Sequence, residues 1–195
     1  MKKQILAFAL ALVLTLSLAA CGGNNPTGGN GTPNLPASTA GNITPDNSGG
    51  NQTSAGTPSI TPADGFVKND KAPWPTWNKT GASAGDSLSI SISYFEFDST
   101  YPTLDAYIPY VQDGLKKGMK DIQFSDTANT TVNGMDAVEF TYNSSMQDGR
   151  QVYVSRNGTV YIIMCMATGI SSSPTALYDA NTADFQTMID SFTLN

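Results

Sequence analysis

The chain has 195 residues, of which 39% are hydrophobic and only 13% are charged, and its formal net charge is −6. It contains no histidine, which excludes the Ser-His-Asp and Cys-His nucleophile systems and every metal site that needs imidazole. An acidic surface repels phosphate backbones, so nucleic acid is not expected as a partner. The length predicts one domain, or one domain with a tail.

Residues 1–20 have the pattern of a secretory signal peptide. Lys2 and Lys3 form a short positive region, and residues 5–20 form the apolar stretch ILAFALALVLTLSLAA. This stretch is shorter than the ~20 residues that a membrane-spanning helix needs, and it ends in small residues. The pattern therefore predicts a cleaved leader and not a retained transmembrane helix.

The residues Leu18-Ala19-Ala20-Cys21 look like a bacterial lipobox. In that motif cleavage falls before the cysteine, and its sulfur receives a diacylglycerol. The resemblance implies that Cys21 carries fatty chains such as palmitate and anchors the protein to the outside of the bacterial cell membrane, because two or more chains anchor firmly. The alternative is an ordinary leader with a chance cysteine. A lipidated Cys21 leaves Cys165 without a disulfide partner, so the domain must rely on its core.

Residues 21–64 have the composition of a disordered tether. Between residues 22 and 63 the chain is rich in Gly, Asn, Ser, Thr and Pro, has no aromatic residue and carries one charge, Asp46. Such a segment cannot bury enough apolar surface to offset its ordering entropy. As a flexible coil it spans roughly 35 Å, enough to hold a domain away from the bilayer. The globular domain is predicted for residues 65–195.

Strand patterns dominate this domain. Leu88, Ile90 and Ile92 alternate with serines, which predicts a strand with one solvated face. The alternation fades after Tyr94, where a bulge or a covered second face is expected. Residues 160–167, VYIIMCMA, are apolar on both faces and predict a central strand covered above and below.

The remaining strands are predicted from shorter patterns and turn signals. They lie near 121–132, at 135–142 and at 151–155. Asn133-Gly134 and Asn157-Gly158 predict two-residue hairpin turns, because Asn and Gly tolerate positive φ. Residues 147–149, Gln-Asp-Gly, predict a further turn.

Two amphipathic stripes predict helices. The first stripe consists of Leu104, Ile108, Val111 and Leu115, and the second of Phe185, Met188, Ile189 and Phe192. Gly118 is the expected residue after the first helix, and Pro109 is expected to kink or split it. Asn181 is the expected N-cap of the second helix. With a doubly covered strand between helices, the predicted class is α+β, with a largely antiparallel sheet and helices on both faces.

The order of five short motifs resembles the PsbP-like domain. The motifs are Pro75-Thr76-Trp77, Leu104-x-x-Tyr107, Asn133-Gly134-Met135-x-Ala137, Val160-Tyr161-Ile162 and Ile189-Asp190-Ser191-Phe192. The resemblance covers roughly residues 65–195 and implies an α/β/α sandwich. It also implies a mostly non-enzymatic role, as an assembly factor or partner-binding subunit. The metal-associated histidines of the photosynthetic members have no counterpart here, so no manganese-linked role is implied.

Catalytic patterns are weak. Residues 81–85 match G-x-S-x-G, but a nucleophile elbow needs a buried strand before it and a later histidine, so a chance match is predicted. Glu96 and Asp98 lie on one strand face at a spacing that can suit a glycosidase pair, and Asp136 with Glu139 forms a second acidic neighbourhood. Solvated surface carboxylates are the commoner alternative. No calcium-loop motif is present, and neither a cofactor nor a metal is expected.

Trp74 and Trp77 are the candidate ligand-contact residues. With nearby tyrosines they can line a groove for a sugar or a peptide, and the alternative is that both are buried in the core. The sequence thus predicts a membrane-anchored extracytoplasmic lipoprotein that acts as a non-catalytic binding or envelope-complex support module. Its expected partners are the membrane, through lipid on Cys21, and an envelope protein or the cell wall. One alternative is a cell-surface enzyme using acidic residues. The other is a small-ligand carrier with an apolar pocket between the sheet and one helix, lined by aromatic residues and methionines.

Overall fold

A computed structural model of the chain describes residues 56–81, 83–97, 101 and 103–195. The strands in chain order are β1 (Pro58–Ser59), β2 (Val67–Lys68), β3 (Thr76–Thr80), β4 (Ser87–Glu96), β5 (Gln123–Phe124), β6 (Ala128–Val132), β7 (Met135–Asn143), β8 (Gln147–Arg156), β9 (Thr159–Thr168) and β10 (Thr193–Leu194). The helices are α1 (Leu104–Gly118), α2 (Pro174–Asp179) and α3 (Thr182–Asp190). None of the helices described here is long and apolar enough to cross a membrane.

One antiparallel sheet of eight strands organises the domain, in the order β2-β3-β4-β9-β8-β7-β5, with β6 also paired to β7. The sheet has two distinct ends. The turn end carries the hairpin turns at residues 133–134 and 157–158. The loop end carries the loops at residues 81–86, 119–122, 144–146 and 169–173.

Each sheet face buries its own core. On one face α3 places Phe185, Met188 and Ile189 over the apolar side chains of β4 and β9. On the other face α1 places Tyr107 and Ile108 over β7 and β8. The predicted α+β class, with helices on both faces of an antiparallel sheet, is confirmed. So is the predicted central strand, because β9 lies between β4 and β8 and its side chains are largely buried on both faces.

Both Asn-Gly turns are confirmed by their backbone angles. Asn133 and Gly134 have φ of 48° and 75°, and Asn157 and Gly158 have φ of 49° and 75°. Positive φ at both central residues matches the right-handed twist of the flanking strands. These turns fix the registers of β6 with β7 and of β8 with β9.

The prediction of a solvated serine face on β4 is wrong. Ser89, Ser91 and Ser93 are 5%, 4% and 8% exposed. Ser89 and Ser91 lie directly opposite Met166 and Met164 of β9, whose longer side chains flank the short serines. The predicted bulge near Tyr94 is also absent, because β4 keeps one register with β9 to its end. The expected alternative, a covered second face, is found at Phe95, whose ring lies 5.4 Å from that of Tyr107.

The prediction of a turn at residues 147–149 is wrong, because β8 begins at Gln147. The chain instead turns one step earlier, where the Ser144 N–H donates to the Gln147 carbonyl at 2.7 Å. Gly149 therefore lies within a strand. A Cβ there would stand 2.4 Å from the Cys165 carbonyl oxygen and 2.7 Å from the Tyr142 hydroxyl oxygen. Close approach of neighbours, and not a turn, requires this glycine.

The helices differ from expectation at three points. Pro109 lies inside α1 without splitting it, because the residues on both sides of it, Ile108 and Val111, are buried against the sheet. Gly118 is the last helical residue and not the one after the helix. Asn181 is the N-cap residue of α3, as predicted, but its side chain makes no capping hydrogen bond and donates to the Leu177 carbonyl instead. The short helix α2 had no predicted counterpart.

The folded part begins earlier than the predicted boundary at residues 64 and 65. Pro58 and Ser59 form β1, which pairs with β10 near the C-terminus. Ile60 is 6% exposed within the core on the α3 face, and Ala63 packs against it. One isoleucine supplies the apolar surface that orders a segment whose composition otherwise matches the tether. Cys21 and most of the predicted tether lie outside the described residues.

Candidate functional site

The two tryptophans have different environments. Trp77 in β3 is 8% exposed and belongs to the core on the α3 face. Trp74 precedes β3 and is half-buried at the surface. Trp77 therefore matches the alternative of a buried indole, because its side chain is used in packing. Trp74 is the indole that has surface available to a partner.

An aromatic stack supports Trp74 at the turn end of the sheet. The Trp74 and Tyr94 rings meet edge to face at 5.8 Å, and Tyr94 lies 5.7 Å from Tyr161. Tyr161 is buried, packs on Phe192 and donates its hydroxyl to the Gly56 carbonyl at 3.1 Å. Burial raises the pKa of the Tyr161 hydroxyl. The stack therefore runs from solvent into the core.

Tyr94 is the exposed member of this stack, with 44% of its surface accessible. Its side chain lies on the same face of β4 as Leu88, Ile90 and Ile92. Unlike those three side chains, it is not part of the buried core on that face. Exposed large aromatic side chains are the informative exceptions on a protein surface. We call Trp74 and Tyr94 the aromatic surface.

Of the acidic residues predicted as an enzyme site, those that the structure describes are exposed or half-buried. Glu96 ends β4 and is exposed, whereas its expected partner Asp98 lies outside the described residues. Asp136 is exposed, and Glu139 is half-buried beside Arg150. A solvated carboxylate such as Glu96 matches the alternative of an ordinary surface residue.

A polar network on the α3 face uses Glu139 structurally. The Arg150 guanidinium donates to the Glu139 carboxylate through Nε, at 3.0 Å, and through one terminal nitrogen. Its other terminal nitrogen donates to the Gln186 side chain of α3 at 2.7 Å. Gln186 in turn donates to Asp190 at 2.7 Å. The guanidinium is thus occupied by side chains of the chain itself.

Cys165 of β9 is fully buried, and burial raises the pKa of its thiol to about 12 while the nearby Arg150 charge lowers it. The thiol therefore stays protonated and inaccessible at physiological pH. This confirms the expectation of a small buried side chain. Among the described residues, no group of His, Cys, Asp and Glu is arranged to hold a metal ion.

The G-x-S-x-G match at residues 81–85 lies in the loop between β3 and β4. A nucleophile elbow joins a strand to a helix, so the context confirms a chance match. The loop is held by Asp86, which is 3% exposed. Its Oδ1 accepts from the backbone N–H groups of Ile170 and Ser171, each at 2.9 Å, and of Ser172 at 3.3 Å.

These contacts predict an acid-sensitive contribution of Asp86 to stability. The Ser172 hydroxyl and the backbone N–H groups, Ser171 first, hold the pKa of Asp86 at about 2, below the ordinary 3.8. A lowered folded-state pKa gives stability that is present above pH 3.8 and is lost as the pH falls through about 2. Asp86→Asn should unfold at lower denaturant concentration at pH 7, and its difference from the wild type should vanish near pH 2. A difference that stays constant across this pH range would contradict the assignment.

A cleft of about 500 Å³ opens between the sheet and α2. Its lining includes Leu88 from the sheet and Ala176, Leu177 and Ala180 from the helical segment. Lys79 at its border is tied to Asp184 at 2.8 Å. The lining contains neither the aromatic residues nor the methionines expected of a small-ligand carrier.

No protein-family model matches the chain, and no curated protein matches it. Among solved structures, LpqN of Mycobacterium tuberculosis, described as involved in cell envelope biogenesis, is similar with a TM-score of 0.48 and 17% identity over 74% of this chain and 87% of its own. PA94 of Pseudomonas aeruginosa, of unknown function, has a TM-score of 0.47 and 13% identity over 72% of this chain and 99% of its own.

The cyanobacterial PsbP of Synechocystis sp. PCC 6803 has a TM-score of 0.44 and 16% identity over 77% of this chain and 99% of its own. The PsbP-like domain, to which the sequence shows a resemblance, is thus represented among the similar structures. All three TM-scores are below 0.5, so the function of this chain is inferred from its own residues.

Proposed function

We propose that this chain is a lipid-anchored extracytoplasmic binding module that contacts an envelope partner through the aromatic surface and catalyses no reaction. The observation that carries the proposal is the exposure of Tyr94, 44% accessible and stacked between the half-buried Trp74 and the buried Tyr161. The lipobox-like residues 18–21 and the nearly uncharged segment that follows support the anchoring.

The aromatic surface has the properties of a preformed contact site. Trp and Tyr offer large contact areas at a low cost in side-chain entropy, because each has only two side-chain torsions. Tyr94 is held by Tyr161 beneath it, so part of the ordering cost is already met in the free protein. The exposed carboxylate of Glu96, two residues further along β4, provides a polar border. An envelope protein or a cell-wall glycan fits such a site.

A non-catalytic role is supported by the fate of the candidate reactive groups. Arg150 and Glu139 bind each other, and Cys165 is buried with a raised pKa. Glu96 is solvated at the surface. Each of these groups either has a structural role or lacks the enclosed environment that shifts the pKa of a catalytic group toward its task.

The anchoring is tested by replacing the lipid acceptor. Cys21→Ala should leave the protein unprocessed or release it into the medium, because the only alkylatable thiol next to the predicted cleavage point is removed. Fractionation of cells, with immunodetection of the mature and precursor forms, measures this. The matched control is Cys165→Ala, which should remain in the membrane fraction. Normal membrane retention of the Cys21 variant would contradict lipidation.

The binding role is tested with a photo-crosslinking amino acid placed at Trp74 in the full chain in intact cells. We expect a defined crosslinked product that is lost in the Tyr94→Ala background, since truncating a stacked aromatic anchor costs about 2 kcal/mol or more of binding. The control carries the crosslinker at Ala128, which is exposed in β6 at the opposite edge of the sheet. Equal products from both positions, or none from Trp74, would contradict the proposal.

A further inference from the structure

Two exposed apolar side chains lie on touching loops at the loop end of the sheet. Met146 is 60% exposed and Ile170 is 65% exposed. The Gly169 N–H donates to the Met146 carbonyl at 3.2 Å, which joins the loop before β8 to the loop after β9. Of the four large apolar side chains that are exposed in the described part of the chain, these two lie on loops that are hydrogen-bonded to each other.

Both loops are held in place by carboxylates. Asp86 accepts from the N–H of Ile170 itself at 2.9 Å, and the Ile170 side chain lies over Gly85, 3.2 Å from the position of an added Cβ. Asp121 accepts from the Ser145 N–H at 2.7 Å, one residue before Met146. The exposed apolar side chains are therefore presented by fixed backbones and not by free loop tips. Preorganised apolar groups lose little entropy on binding.

The same end of the sheet carries positive charge. Lys116, Lys117 and Lys120 are exposed where α1 ends and the chain turns toward β5. None of the three forms an ion pair with a carboxylate within the described part of the chain. Lys120 directly precedes Asp121, which contacts the Met146 loop. These lysines thus offer exposed positive charge that no carboxylate of the described residues pairs at ion-pair distance.

The loop end faces away from the side at which the N-terminal segment enters the fold. Gly56 is held by the Tyr161 hydroxyl near the turn end, whereas Ile170 lies two residues after the end of β9. The seven steps from Tyr161 to Thr168 along β9 span roughly 23 Å. The loop end and the first described residues therefore lie at opposite ends of the sheet.

We propose that a docking surface at the loop end, formed by Met146, Ile170, Lys120 and the neighbouring Lys117 of α1, binds a second protein whose surface offers an apolar recess bordered by carboxylates. The apolar pair supplies the buried centre of the contact, and the lysines supply the polar rim that selects an acidic partner. A protein is favoured over an anionic bilayer because the apolar area consists of two side chains on fixed loops, which fits a recess in a protein and is small for insertion into lipid. This docking surface is separate from the aromatic surface, which lies at the turn end.

The test places a photo-crosslinking amino acid at Met146 in the full chain in intact cells and identifies the product by mass. We expect a protein adduct whose yield falls roughly tenfold with Ile170→Ser, since a central apolar anchor costs over 1.4 kcal/mol when truncated. The Lys117→Glu/Lys120→Glu double variant should lower the yield as well, since its charges repel an acidic partner.

Matched controls separate surface effects from unfolding. Val67→Ser removes an equally exposed branched side chain elsewhere, and Lys68→Glu/Lys71→Glu reverses two exposed charges elsewhere, so both should leave the yield unchanged. A lipid adduct, a yield insensitive to the Ile170 and lysine variants, a yield equally sensitive to the control variants, or no adduct would overturn this proposal. The crosslink at Trp74 is scored independently, so loss of either surface is distinguishable from loss of the other.

Discussion

Gly149→Ala should destabilise the domain by about 3 kcal/mol, near the upper end of the range for overpacked cores. The added Cβ would lie 2.4 Å from the Cys165 carbonyl oxygen, which is backbone of the central strand and cannot move alone. The intrinsic preference of a strand for Ala over Gly, about 0.5–1 kcal/mol, has the opposite sign and is smaller. Denaturant unfolding followed by circular dichroism measures the change.

The control for this substitution is Ser155→Ala, which introduces the same side chain at an exposed position of the same strand. It should change the free energy of unfolding by at most about 0.5 kcal/mol. A Gly149→Ala protein as stable as this control would show that β8 and β9 are not as close at this point as the structure has them.

Glu139→Ala should lower the free energy of unfolding by about 2 kcal/mol. It leaves the Arg150 guanidinium, whose side chain is 16% exposed, without its carboxylate partner. Breaking a fully buried pair costs about 3–5 kcal/mol, and the cost is smaller here because water reaches part of the site and Gln186 still accepts one hydrogen bond. Chemical denaturation of the variant measures the change.

A double-mutant cycle separates this pair from its surroundings. Glu139→Leu combined with Arg150→Met should recover most of the stability lost in either single variant, since an apolar pair leaves no unpaired charge. The control pair is Lys68–Asp70, whose side chains are 62% and 83% exposed, and Asp70→Ala should cost less than about 1 kcal/mol. Additive effects at Glu139 and Arg150 would rule out the coupling.

The features that the sequence predicts correctly depend on local chemistry or on strong periodicity. Asn157-Gly158 forms its hairpin turn because positive φ is a property of those two residues. The run at residues 160–167 forms a central strand because it is apolar on both faces. The α1 stripe forms a helix despite Pro109, because its buried face outweighs one lost hydrogen bond.

The features that the sequence misses depend on contacts between distant residues. Ser91 is buried because Met164 lies opposite it, 73 positions later, and nothing in the serine alternation reports that neighbour. Gly149 looks like a turn residue in the sequence. Glycine is required there because the backbone of the next strand, β9, approaches it closely. Ile60 is embedded in tether-like composition, and it is buried because the fold brings the C-terminal segment and the core on the α3 face beside it.

The candidate site also depends mainly on contacts between distant residues, which the sequence does not show. Trp74 and Trp77 are both tryptophans and lie three residues apart, so the sequence does not indicate which of the two indoles is buried. Tyr94 is exposed because it lies outside the core on the α3 face, and the extent of that core is a property of the whole fold. The loop end combines four loops that are far apart in the chain, so only the sheet register brings Met146 and Ile170 together.

The pairing of β1 with β10 brings the two ends of the folded part to the same corner, where Thr57 and Asn195 exchange backbone hydrogen bonds at 2.8 and 3.1 Å. A short peptide linker can therefore join residue 195 to residue 56, and new termini can be opened at the exposed Asn157-Gly158 turn. Such a circular permutant would transfer the point of attachment from β1 to the hairpin of the central strands while every strand keeps its neighbours.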